Sequence, residues 1–305
     1  MVITRLVGGL GNQMFQYAAG RALAIRLGVP LKLDFSWFDD MGGCTPREYL
    51  LHIFPIAATE ANPEEIESIA YRKQNFFERL LRCTKKHCKH YKKLLRWSKK
   101  RSKHYIVEPS YNYWSGFASV VAPTYLKGYW QQEKYFADIT DVIRQDFSFP
   151  PFGNPETAKL AAEISSTSNA VCVHIRRGDY VKKPANFISV YSPAYYEKAL
   201  RTLSTKLGSA LKLFIFTDDP AWARGNFDTL GYPALIIDFP EHQDKPWHDM
   251  HLMSLCEHHV IANSSFSWWA AWLSRGNGIT IAPERWFAAA KSQNDTPVPA
   301  RWIKI

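Results

Sequence analysis

Four short stretches carry residue types suited to a phosphate-bearing ligand. The first is His174-Ile175-Arg176-Arg177-Gly178-Asp179, which closes an apolar run at 170–175. Two guanidinium groups where a buried strand reaches solvent form a cationic site, and their planar forks match phosphate oxygens. Side chains alternate along a strand, so one arginine can meet a ligand while the other supports it; an ion pair with Asp179 is the purely structural alternative. The second stretch, Thr217-Asp218-Asp219-Pro220, also ends an apolar run. Its carboxylates can accept hydrogen bonds from sugar hydroxyls or base N–H groups, and one of them is expected to cap the helix that follows.

The third stretch is Asn263-Ser264-Ser265-Phe266-Ser267-Trp268-Trp269, where serine hydroxyls and amides at a helix start would cradle an anion. The fourth is Gly8-Gly9-Leu10-Gly11-Asn12-Gln13-Met14, in which glycines let the backbone approach a ligand at another helix start. Gly9 and Gly11 with Asp34 further on suggest a nicotinamide dinucleotide fold, but Met14 stands where that fingerprint needs its third glycine. Together the stretches predict a diphosphate site in which arginines and helix dipoles stand in for a cation. The chain has no Asp-x-Asp, and Cys83, His87, Cys88 and His90 lack a second ligand pair at zinc spacing, so no metal is expected.

Strands alternating with helices must position these residues. Apolar runs predict strands at 2–7, 31–35, 124–130, 170–175, 211–216, 234–239, 259–262 and 279–282. Helical spacing predicts helices at 12–27, 193–207, 246–256 and 266–274. Such a pattern means parallel, doubly wound α/β sheets that bind ligands beyond the carboxyl ends of their strands. The Pro- and Gly-rich stretch at 146–155 predicts the crossing between two lobes, 1–150 and 151–305.

Composition narrows the class further. A chain of 305 residues with 46% apolar and 22% charged residues can bury a large core. No window approaches a membrane span, the first 30 residues lack a cleavable hydrophobic segment, and five cysteines without a CxxC pair fit a reducing compartment. The expected location is the cytoplasm. The formal charge of +10 comes from one place: residues 71–105 hold fourteen Lys and Arg against the single Glu78, leaving the rest slightly acidic. Apolar residues at helical spacing make this stretch either a basic amphipathic helix that rests on an anionic bilayer or a solvated insertion. No nucleic-acid motif accompanies the charge, so no nucleic-acid partner is expected.

Five stretches in order, GGLGNQMFQY at 8–17, GYWQQEKYF at 128–136, HIRRGDY at 174–180, FTDDPAW at 216–222 and NSSFSWWAAWL at 263–273, resemble the bacterial α-1,2-fucosyltransferases of glycosyltransferase family 11. The resemblance implies a two-lobed, GT-B-like fold and metal-independent, inverting transfer of L-fucose from GDP-fucose to a galactose 2-hydroxyl. The acceptor would be a glycan of surface polysaccharide (O-antigen) synthesis, free or lipid-linked. A fucosyltransferase of another linkage is the alternative. On this basis Arg176 is the main diphosphate contact, Arg177 lies beside it, and the amides of Ser264, Ser265 and Phe266 complete the cradle. Gly11, Asp218, Asp219 and Asn263 join the donor set, and His174 contacts the donor or orders its loop. Asn12 positions the acceptor and Asp179 is the candidate base. Tyr129, Trp130 and Gln131 are acceptor-side candidates, with packing between lobes as their other reading.

Overall fold

Short apolar strands, each followed by a helix or a long connection, build two sheets in which every pairing is parallel. In the computed structural model the described residues are 1–42, 45–71, 101–177, 192–208, 210–242, 245–286 and 296–305. The N-terminal sheet has the order β3-β2-β1-β5-β4, from β1 (Val2–Arg5), β2 (Leu31–Asp34), β3 (Thr59–Glu60), β4 (Tyr105–Val107) and β5 (Thr124–Lys127). The C-terminal sheet has the order β11-β10-β9-β6-β7-β8. It is built from β6 (Ala170–Ile175), β7 (Lys212–Thr217), β8 (Ala234–Ile236), β9 (His258–Val260), β10 (Thr280–Ala282) and β11 (Ile303–Lys304). Every residue of central β6 is buried, as expected of a parallel strand covered on both faces.

The described helices are α1 (Leu10–Leu27), α2 (Ser36–Asp39), α3 (Pro63–Ala70), α4 (Thr140–Asp146), α5 (Pro155–Ser166), α6 (Pro193–Leu207), α7 (Pro220–Asn226), α8 (Trp247–Leu255) and α9 (Ser265–Leu273). None is long and apolar enough to cross a membrane. Helix α1 is buried along most of its length, because it packs on β1 and β2 on one side and on α9 on the other. The contact is aromatic: Phe15 of α1 lies 4.5 Å from Trp268 and 4.9 Å from Trp269 of α9 between ring centroids, and Phe136 stacks on Trp269. Arg144 of α4 donates to the carbonyls of Trp272 and Leu273, closing the C-terminal end of α9 with a cation where the helix dipole is negative. One hydrophobic cluster therefore runs through both halves.

The architecture is the two-sheet α/β arrangement expected from the sequence, and β6 and α6 fall at their expected bounds. The expected strand at 124–130 stops at Lys127. Trp130 takes a left-handed backbone (φ 55°), which a strand cannot hold. The expected strand at 234–239 is likewise cut to Ala234–Ile236. Short edge strands β3, β4 and β11 were not foreseen, since two or three residues carry too little periodicity to stand out, and helix α5 was not foreseen either. Most of the basic stretch, residues 72–100, lies outside the described residues; its flanks Tyr71 and Arg101 meet in an antiparallel bridge.

Candidate active site

A cleft of about 1530 Å³ opens at the carboxyl ends of the strands of both sheets. Its C-terminal wall begins where β6 ends. His174 lines it, 5% exposed, with Nδ1 lacking a partner, and burial reinforced by the charge of Arg176 pushes its pKa down to about 3. The imidazole is therefore neutral at physiological pH. Arg176 also lines the cleft, and its Nη1 lies 3.0 Å from Asp218 Oδ2. Asp218 Oδ1 accepts the backbone N–H of Arg177 at 2.8 Å, so one carboxylate anchors both the side chain and the turn that carries it.

Arg177 and Asp219 point elsewhere. The Arg177 guanidinium sits 3.7 Å over the Trp222 ring and its Nε lies 3.3 Å from Asp219 Oδ2, while Asp219 Oδ1 accepts the Trp222 N–H as the N-cap of α7. Neither lines the cleft, which corrects their expected place in the donor set. Alternation along the strand end produces this split, with Arg176 facing the cleft and Arg177 bracing it.

The same wall includes the N-terminus of α9, with Asn263, Ser264, Ser265 and Phe266 in the cleft lining and no acid in its first turn. The expected cradle of three amides is reduced. Ser264 N–H donates to Ala262 O, and Phe266 N–H donates to the capping Ser264 Oγ. What α9 offers an anion is its dipole end rather than two of those donors. Asn263 Nδ2 reaches Trp286 O and tethers that part of the wall.

The N-terminal wall is built on the start of α1. Gly8 has φ +80°, and a β-carbon there would stand 2.6 Å from Asn12 Nδ2, so the turn requires glycine twice over. Gly11 serves contact between the halves: a β-carbon on it would come within 2.5 Å of the Ser265 backbone, and its carbonyl accepts Trp269 Nε1–H at 3.0 Å. Gly11 also lines the cleft, so close packing of α1 on α9 is a second demand on it beside its expected place in the donor set. Asn12 Oδ1 accepts from Gln131 Nε2 and from Ser265 Oγ, both at 2.8 Å, and so ties α1, the loop after β5 and α9 into one node.

Gln13 secures the facing segment, donating to Glu48 O and accepting from Leu50 N–H. Of the acceptor-side candidates, Tyr129 and Gln131 line the cleft. Trp130 is fully buried against Phe117 and Tyr135 and takes the packing role. Glu108 holds this turn by accepting the N–H groups of Tyr129 (2.7 Å) and Trp130 (3.0 Å), and burial raises its pKa to about 7. Asp34, the acid of the dinucleotide alternative, is buried with Tyr125 Oη–H on one oxygen and Ser36 N–H on the other, and does not line the cleft.

Asp179, the candidate base, and the Cys83, His87, Cys88 and His90 group lie outside the described residues. Among the described residues no group of three or more His, Cys, Asp or Glu is placed to hold a metal ion. The cleft also gathers residues not singled out from sequence, including Arg5, Trp37, Arg47, Glu48, Tyr111 and Lys127. Arg5 and Lys127 end their strands just as Ile175 precedes Arg176, but the expected strands at 2–7 and 124–130 run past them and hid those ends in the sequence. Among the described carboxylates of the lining, Asp218, Asp238 and Asp249 each bind a basic or imidazole side chain, and Glu48 does not.

Known proteins resemble this chain. The profile of the family described as Glycosyl transferase family 11 matches residues 78–305. An alpha-1,2-colitosyltransferase of Escherichia coli is 32% identical over 100% of this chain and 99% of its own. The O-antigen biosynthesis glycosyltransferase WbnK of Escherichia coli is 32% identical over 93% of this chain and 94% of its own. Among solved structures, fucosyltransferase NodZ from Bradyrhizobium is 16% identical with a TM-score of 0.45, covering 88% of this chain and 91% of that one.

Proposed function

The chain belongs to glycosyltransferase family 11, and we propose that it transfers L-fucose from GDP-β-L-fucose to the 2-hydroxyl of a galactose residue, with inversion to an α linkage. The observation that carries this reading is that Arg176, anchored by Asp218, and the unacidified N-terminus of α9 line the same cleft. Departure of GDP develops negative charge on its β-phosphate, and a preorganised guanidinium beside a helix dipole stabilises that charge in place of a divalent cation. The acceptor lies against the N-terminal wall, where Asn12, fixed by its two donors, orients it. The test is an assay with GDP-fucose and a β-galactoside followed by linkage analysis of the product. A product other than Fucα1-2Gal, or none, overturns it. Metal independence is tested separately: GDP should raise the melting temperature equally with and without EDTA.

The whole-length likeness to a colitosyltransferase favours a second donor, GDP-colitose, whose sugar is fucose without the 3-hydroxyl. A site that hydrogen-bonds the 3-hydroxyl rejects the deoxy sugar strongly, whereas a site that merely admits it discriminates weakly. The ratio of kcat/KM for the two donors decides between them. The likeness to an O-antigen biosynthesis enzyme supports a surface-polysaccharide acceptor at the cytoplasmic face of the membrane. The basic stretch would hold the enzyme there on anionic lipid, at about 1 kcal/mol per engaged Lys or Arg. Vesicle binding should then rise with anionic lipid, fall with salt, and vanish when residues 85–103 are neutralised; binding unchanged by neutralisation ends the docking proposal.

A further inference from the structure

The N-terminal wall of the cleft holds more positive charge than a neutral sugar needs. Arg5 ends β1 and Lys127 ends the adjacent β5, and both line the cleft. Among the described residues neither side chain has a hydrogen bond or ion pair to a carboxylate, and Arg5 Nε is buried without a partner. The carboxylates nearest in the fold are engaged otherwise: Asp34, paired in register with Arg5, serves Tyr125 and Ser36, and Glu108 serves the turn at 129–130.

A third cation joins them. The Arg47 side chain lies over Gly9, the N-cap of α1, with Cδ and Nε 3.9 Å from where a β-carbon on that glycine would stand. Helix α1 has neither a side-chain cap nor an acid in its first turn, so its dipole end adds to the positive potential that Arg5 and Lys127 give this wall. Burial lowers the Lys127 pKa, and the charges of Arg5 and Arg101 add to that effect. Among the described residues the lining of this wall includes one carboxylate, the exposed Glu48, and it pairs with neither Arg5 nor Lys127. Trp37 and Tyr111 also line the cleft.

We propose that the wall formed by Arg5, Arg47, Lys127 and the start of α1 is a second anion site, which binds a phosphate or carboxylate carried by the acceptor glycan. It rests on the glycosyl transfer proposed above only for calling that ligand the acceptor; the anion site itself can be tested by binding. A phosphate would come from a phosphorylated or carrier-linked sugar, a carboxylate from an acidic sugar, and the same guanidinium and ammonium groups suit both.

The test has a binding arm and a transfer arm. In the first, galactose 1-phosphate, galacturonate or galactose is titrated calorimetrically into protein saturated with GDP, so that the Arg176 side of the cleft is already filled. Galactose 1-phosphate, galacturonate or both should bind about tenfold more tightly than galactose, on the scale of one charge-assisted hydrogen bond, and lose that margin in Lys127→Met and in 0.5 M salt. Lys127→Arg should keep it. Arg5→Met is the second variant, with its fold checked by circular dichroism.

In the transfer arm, the ratio of kcat/KM for a phosphorylated or carboxylated galactoside to that for its neutral parent should fall toward one in Lys127→Met. Equal binding of the three sugars, or a margin that survives both charge removals, overturns the anion site. Charge-dependent binding without transfer to any galactoside would leave the anion site standing and overturn the proposed reaction instead.

Discussion

The two walls of the cleft handle charge in opposite ways. On the C-terminal wall, Arg176 is matched by Asp218 and Asp238 by Arg224, and Arg177 is matched by Asp219 just behind it. On the N-terminal wall, Arg5 and Lys127 have no such partner among the described residues. Matched charges hold their side chains in place before a ligand arrives, at the cost of weaker attraction. Unmatched charges attract strongly but raise the free energy of the empty protein. The difference suggests a wall preorganised for the charge change of the reaction and a wall whose charge is completed by what it binds.

The most severe way to break the comparison is at Arg176. Arg176→Ala should lower kcat/KM by roughly 2.7 to 4 kcal/mol of transition-state stabilisation, the scale of losing one preorganised donor. Arg176→Lys should recover little of that, because an ammonium cannot copy a bidentate fork. Near-normal turnover in either variant would mean that the diphosphate lies elsewhere.

The junction of the walls comes next. Gly11→Ala forces a β-carbon against the Ser265 backbone and should cost about 3 kcal/mol, the upper range for overpacking, read as a lower midpoint in urea with an unchanged slope. An unchanged midpoint would show that α1 and α9 can separate freely.

Glu48 is the described cleft carboxylate without a basic partner, and Asp179 is the candidate base from sequence. Replacing the true base by its amide should lower kcat by about a hundredfold with little change in donor KM, and replacing the other should not. Parallel assays of Glu48→Gln and Asp179→Asn therefore assign the proton acceptor. Full activity in both would point to a transition state that needs no side-chain base.

The smallest expected difference is in response to pH. His174, with its pKa near 3, stays neutral from pH 5 to 9, so GDP affinity should gain no pH dependence from it over that range. Glu108 behaves otherwise, because its folded pKa of about 7 lies above the ordinary value of 4.5. A raised folded pKa means that the native state holds the proton more tightly. Stability is then highest below about pH 4.5 as far as this group is concerned, and is lost as pH rises through 7. Between pH 5 and 8 the loss should be about 2 kcal/mol, and Glu108→Gln should flatten it. A wild-type profile without that slope would mean that Glu108 is ionised in the folded protein at no cost.

Local signals made much of this molecule legible. The run AVCVHI reads as a buried parallel strand because all six residues suit an interior covered on both faces, and β6 spans those residues. Helix α6 is bounded by Pro193 at its first turn and by Gly208 in the left-handed region at its end, and both punctuation marks are visible without a structure. The capping role foreseen for one of Asp218 and Asp219 falls to Asp219. Family membership was legible for the same reason, since each motif is a contiguous stretch.

The chain by itself thus determined its alternating elements, the edge of each sheet where the cleft opens, and the arginine pair at the end of β6. These are set by the order of residues within a turn or a strand. Tertiary structure alone decided which residues meet across the cleft. Gly11 faces Ser265 although 254 positions separate them, Asn12 accepts from both Gln131 and Ser265, and Trp130 turns into the core while its neighbour Tyr129 stays in the cleft. Arg5 and Lys127 come to line one wall only because β1 and β5 pair in parallel. Propensity and periodicity act over a few residues, whereas burial, charge matching and close backbone contact depend on how two sheets pack around a shared aromatic core.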